Sequence, residues 1–210
     1  LDHRSPWDRR RRLALVYEIG ARLDGVDAVV AHARSGALPR LDTYRWLVRH
    51  LAAAGEVERA AELGDEALAG ERRSYDLADL ADQVAALWLQ LGRPEPALDA
   101  QCRSWQCRPT VLCLERVLDA ADAAGRPGVP DAVDEHPSGS RFLQAAVHLV
   151  AGRLDEAIAP VAGTEHQSSR DRYAADRLVL AAACQASRAG PLRPEIAGAI
   201  RQACSRAEMA

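Results

Sequence analysis

The chain of 210 residues has no lysine, no asparagine and a single phenylalanine, Phe142. Valine, isoleucine and threonine together number only 22, against 42 alanines and 25 leucines. β-Branched and aromatic residues supply strands, whereas Ala, Leu, Arg and Glu favour helix, so a mainly β protein is excluded. Without asparagine there is no N-glycosylation sequon. No apolar run approaches the roughly 18 residues that a membrane span needs. The net charge of −3 gives no global field toward nucleic acid or anionic membrane. All 27 side-chain cations other than histidine are arginine, which reads as GC-rich coding rather than as mechanism. The five cysteines (Cys102, Cys107, Cys113, Cys184 and Cys204) are odd in number and irregular in spacing, unlike a secreted disulfide framework. Reduced thiols in the cytoplasm are the expectation. Leu1-Asp2-His3-Arg4-Ser5 offers neither a methionine nor an apolar signal core, as a segment of something longer would.

What is present is a rhythm. An Ala/Leu-rich helix, a glycine and a short polar turn recur at Leu51–Ala60, Trp88–Ala97 and His148–Ala157, around Gly55, Gly92 and Gly152. Gly25, Gly125 and Gly190 fit the same role, and the interval averages 33 residues from Gly25 to Gly190. A left-handed residue commonly closes a helix, and glycine takes that conformation without a steric penalty. Ala60, Ala97 and Ala157 each stand five residues after a marker glycine, where a small side chain lets helices approach. The spacing predicts helices over 8–23, 26–35, 41–54, 56–69, 75–91, 94–107, 110–124, 140–151, 154–163, 170–188 and 193–207. A Pro/Gly-rich loop is expected over 127–139, between repeats in 1–126 and continuing hairpins in 140–210.

Asp79 through Pro109, with Ala85, Trp88, Gly92, Ala97, Ser104 and Pro109, resembles a tetratricopeptide repeat. Tyr44, Gly55, Ala60 and Ala67 carry the likeness in the preceding copy, and Ala145, Gly152 and Ala157 in the following one. Gly64, Gln101 and Val161 depart from it at a second-helix position where large aromatics are usual. Residues 5–126 are also similar to the helical region after the SWIM zinc-binding motif of many bacterial proteins. That likeness rests on Trp7-Asp8-Arg9-Arg10, the Asp24–Ala28 turn, the Ala54-Gly55 hairpin and Leu91–Leu98. The zinc module's cysteine and histidine pairs are absent from the chain, so no zinc or nucleic-acid role passes to any position. The resemblance implies an all-α, TPR-like superhelix (a solenoid of five to six α-α hairpins) that binds ligands along the first helices.

On that alignment the concave side carries Asp42, Arg45 and Arg49, then Asp79, Asp82, Ala86 and Gln90, then Phe142, Ala146 and Leu149. Such a groove suits a mixed-charge peptide; alternatively its charges pair across neighbouring hairpins or face solvent. Trp7 with Arg9–Arg12 suggests a phosphate-binding arm, yet four consecutive arginines point to all sides of a helix. Cys102 and Cys107 would diverge by roughly 140° on a helix, which disfavours a metal site. His148 takes the place of Trp88 and reads as a packing residue. Ser138 and Ser140 beside His136 lie in a loop without a rigid frame, and Asp119 with Asp122 reads as a solvated face. No phosphate loop, HExxH or GxSxG motif occurs. The expectation is a non-catalytic scaffold that takes a protein or peptide and no cofactor. A nucleic-acid accessory module or a helical enzyme or small-molecule binder is the alternative.

Overall fold

The computed structural model describes residues 6–36, 40–70, 75–126, 128, 130–134, 141–153 and 156–157. All regular structure among them is helical. The helices are α1 (Pro6–Asp24), α2 (Val26–Ser35), α3 (Arg40–Ala53), α4 (Val57–Gly70), α5 (Tyr75–Gln90), α6 (Pro94–Cys107), α7 (Val111–Ala123), α8 (Asp131–Asp134) and α9 (Arg141–Val150). Two expected helices, 26–35 and 94–107, have these bounds, and the others from α1 to α9 that were expected differ by a residue or two. The exception is α8, a single helical turn inside the expected loop. Pro130 starts it by accepting from the Val133 and Asp134 amides, and a fully buried Val133 anchors it. The expected helices 170–188 and 193–207 lie outside the described residues, as do Gly190, Cys184, Cys204, His136, Ser138 and Ser140. Of 154–163, residues 156–157 are described and helical. No helix among the described residues is long and apolar enough to cross a membrane.

The described residues fall into two compact units. One runs to Arg108 and includes Asp119–Arg126; the other comprises Pro109–Leu118 and the residues from 127 onward. In the first, α1–α2, α3–α4 and α5–α6 form successive hairpins. Each hairpin packs on the next through α2–α3 and α4–α5, and helices two apart also touch, as α1–α3, α3–α5 and α4–α6. The core is aliphatic and small, with Leu47, Leu51, Ala60, Leu77, Leu80 and Val84 fully buried. Ala60, Ala97 and Ala157 are all buried, as their recurrence requires. Gly64 is a related case. A Cβ there would overlap Val84 Cγ2, so α4 can meet α5 closely only without one.

Four of the turns share one chemistry, whereas at Gly25 the amide donates four residues back, to Ala21 O at 3.1 Å. Gly55, Gly92, Gly125 and Gly152 have positive φ. The amide of each donates to a carbonyl three residues back, and the following amide to one five back, as Gly92 N to Leu89 O at 3.0 Å and Arg93 N to Trp88 O at 2.9 Å. This pair of bonds satisfies carbonyls that a helix end otherwise leaves open. Just past three successive turns of the first unit, an acid on one turn meets an arginine on the next. Asp27 pairs with Arg59, Glu58 with Arg93 at 3.4 Å, and Glu95 with Arg126 at 3.3 Å.

Candidate functional site

The expected groove residues of the first two copies lie on α3 and α5, adjacent helices of the first unit. Arg45, Asp79 and Asp82 are spent on partners within the unit. Arg45 has a side chain only 12% exposed; its Nη1 donates to Asp76 Oδ1 at 3.1 Å and its Nη2 lies 3.8 Å from Asp79 Oδ2. From just past α6, Arg108 donates to Asp79 Oδ1 at 2.8 Å and to Asp82 Oδ2 at 3.3 Å. Ser104 Oγ donates to the other oxygen of Asp82 at 2.7 Å. The three aspartates, spaced by three along α5, thus face two arginines and a serine from neighbouring helices. Pairing across hairpins, one of the two readings of these charges, is what the geometry contains for Arg45 and Asp79, while Asp82 is held within its own hairpin by Ser104 and Arg108.

Arg49 differs from Arg45. It is exposed one turn further along α3, and its Nε donates to the Gln83 amide oxygen at 3.3 Å, so a neutral group rather than a carboxylate faces it. Beside it Trp46 is half-buried and stacks on His50, with centroids 4.5 Å apart and planes 20° from parallel. Trp46 also meets Tyr17 of α1 at 5.7 Å, and His50 Nδ1 lies 3.8 Å from Glu18 Oε2. Ala86 and Gln90 are exposed further along α5, while Asp42 is half-buried in the first turn of α3. Phe142 belongs to α9 in the second unit, and its side chain lies outside the described residues. The side chains of Trp7, Arg9 and Arg10 also lie outside them.

The repeat alignment singles out neither Trp46 nor His50. Their four-residue spacing marks one helix face, and that was the available signal. The repeat alignment also leaves unmarked an open groove of about 550 Å³ between α2 and α4. Val30, Ala31 and Leu63 line it, with the Asp27–Arg59 and Arg34–Glu66 pairs. Arg34 clasps Glu66 through Nε and Nη2, the latter at 2.8 Å, and the Tyr44 hydroxyl donates to the same carboxylate. The Arg34 bond holds the Glu66 carboxyl below its usual range, and burial pushes the Tyr44 hydroxyl above its own. Nearby, Trp88 Nε1 donates to Asp65 Oδ2 at 2.9 Å beneath the Arg93 guanidinium, 4.5 Å above the indole. Burial raises the Asp65 carboxyl.

Cys102, Cys107 and Cys113 are free thiols, and burial pushes Cys102 up to about 11. A thiolate at Cys102 is thereby disfavoured, and the thiolate is the form that reacts and ligates. Among the described residues no cluster of three or more His, Cys, Asp or Glu side chains is placed to hold a metal. Comparison with known family models, curated proteins and solved structures finds no match to this chain.

Proposed function

We propose that the chain is a TPR-like array of helical hairpins, related to the helical region that follows SWIM motifs. Its activity is to hold a protein segment against the first-helix row, making and breaking no bond. The observation that carries the reading is the register of the polar links between hairpins. Arg34–Glu66, Arg45–Asp76, Arg49–Gln83 and Arg93–Glu58 join residues 32, 31, 34 and 35 apart, one repeat length in each case. Residues roughly one repeat apart, on corresponding helices of successive hairpins, therefore meet, which is the behaviour of a stacked repeat. Free thiols fit the reducing cytoplasm as its setting.

Arg45, Asp79 and Asp82 are internal fasteners in this reading, and the recognising strip is Trp46, Arg49 and His50 of α3 with Gln83, Ala86 and Gln90 of α5. An exposed guanidinium beside an aromatic face suits a peptide carboxylate flanked by an apolar side chain. The test is binding of the intact chain to an array of synthetic peptides that vary in acidic and aromatic content. Arg49→Glu should weaken the acidic peptides at least about tenfold, the loss of a charge-assisted contact worth 1.4 kcal/mol or more. Arg49→Lys should recover part of it. Equal binding by wild type and Arg49→Glu would refute this assignment of the strip. Arg45 is a poor choice for the same test, because its guanidinium holds α3 to α5.

A further inference from the structure

The groove between α2 and α4 is crossed by two ion pairs, Asp27 to Arg59 and Arg34 to Glu66. Each pair joins residues 32 apart. The pairs stand seven residues from one another on both helices, about 10 Å along the axis. Applied between them, the same offset sets Glu62 opposite Val30. Val30 and Leu63 are buried and give the groove an apolar floor, while Glu62 is exposed at its edge. Neither flanking arginine answers Glu62. Arg34 is clasped on Glu66, and Arg59 is shared between Asp27 and Glu56. Among the described residues Glu62 has no ion-pair or hydrogen-bond partner. The middle of three crossing positions therefore has its carboxylate and lacks its cation.

We propose that the groove docks an arginine side chain of a protein segment, its stem on Val30 and Leu63 and its guanidinium on Glu62. Charge favours a cation, since Asp27, Glu56, Glu62 and Glu66 surround only Arg34 and Arg59. The two flanking crossings are each closed by a guanidinium, and the incoming one closes the third in the same way. Arginine joins an apolar stem to a planar fork that matches a carboxylate, the two features this floor and rim present in sequence. The volume of about 550 Å³ exceeds one side chain, so apolar neighbours in the segment also rest on the groove, beside exposed Ala31. Because both ion pairs already hold α2 to α4, the walls stand ready before the segment arrives. This site is on α2 and α4, apart from the strip on α3 and α5, and it prefers the opposite charge.

The experiment is a methyl-detected NMR titration of the intact 22.7 kDa chain with the peptide acetyl-Leu-Arg-Leu-amide. The Val30 and Leu63 methyl signals should shift saturably, with a dissociation constant on the order of 1 mM for so short a probe. The same peptide with citrulline, which keeps the shape and loses the charge, should bind at least about tenfold more weakly. n-Butylguanidinium, which lacks the peptide, should bind several-fold more weakly. Glu62→Gln should reduce the arginine peptide to the citrulline level, with circular dichroism and thermal midpoint like wild type. Ala31→Arg, which sets a cation beside Glu62 from within the chain, should block the peptide. Arg49→Glu should leave this binding unchanged, which separates the groove from the strip. Absence of saturable shifts up to about 20 mM peptide overturns the proposal. So does equal binding of the citrulline peptide, or binding that Glu62→Gln or Ala31→Arg leaves intact. Loss of binding in Arg49→Glu places the contact on the strip and overturns it as well. Equal binding of n-butylguanidinium makes the groove a small-cation site and overturns the protein segment as its occupant.

Discussion

Single residues in this protein differ in how fully their chemistry is answered. Gln101 is buried in α6, and its Oε1 has no hydrogen-bond partner. An unsatisfied buried polar group costs about 1–3 kcal/mol, while an apolar group of similar size carries no such penalty. Gln101→Leu is therefore expected to stabilise the fold by about 1 kcal/mol, seen as a higher urea midpoint; a lower midpoint would show that the amide is held some other way. The arginines show the opposite condition. Arg45 and Arg49 stand four apart on one helix, yet one is enclosed between two aspartates and the other faces an amide. Residue type alone did not separate them, because the difference is set by what α5 presents opposite each.

At the scale of elements, the turns were the most legible part of the sequence. With no asparagine available, glycine is the residue left to close each helix in the left-handed region, and the positive φ of Gly55, Gly92, Gly125 and Gly152 follows directly. Gly92→Ala should cost about 1–2 kcal/mol, since nothing obstructs the new methyl and only the backbone conformation resists it. Chemical denaturation measures this, and an unchanged midpoint would mean the turn relaxes to another conformation. The small residues at hairpin crossings were readable for a similar reason, being tied to the glycines by a fixed offset. Gly64 was not: it stood out as a departure from a repeat pattern, and only its approach to Val84 explains it. The α8 turn escaped notice because a four-residue helix has no periodicity to detect. For the candidate strip, sequence supplied Arg49, Ala86 and Gln90, but the stacking of Trp46 on His50 depends on where α1 and α5 leave α3 uncovered.

Across the whole molecule, acid stability depends on carboxylates held by arginines in both units. Arg34 lowers Glu66, and Arg153 lowers Asp134, from ordinary values of 4.5 and 3.8. A carboxyl depressed in the folded state adds stability that is present above its unfolded value and is lost as pH falls through the folded one. The thermal midpoint should therefore decline from just below pH 4.5 downward, and Glu66→Gln should flatten the part of the decline nearest that value. If wild type and variant fall in parallel, the Arg34–Glu66 pair is not a source. The acid-to-arginine pairs at the successive turns have a different consequence. Exposed pairs of this kind contribute about 0–1 kcal/mol each, too little to account for the fold. Their order matters more than their strength, because each junction has the acid on the earlier turn and the arginine on the later one. A chain built this way carries the same coupling at every joint, so a hairpin duplicated in place would meet its neighbours with ready-made partners. Growth or loss by whole hairpins would then preserve the register, and length becomes the property most easily altered in proteins of this design.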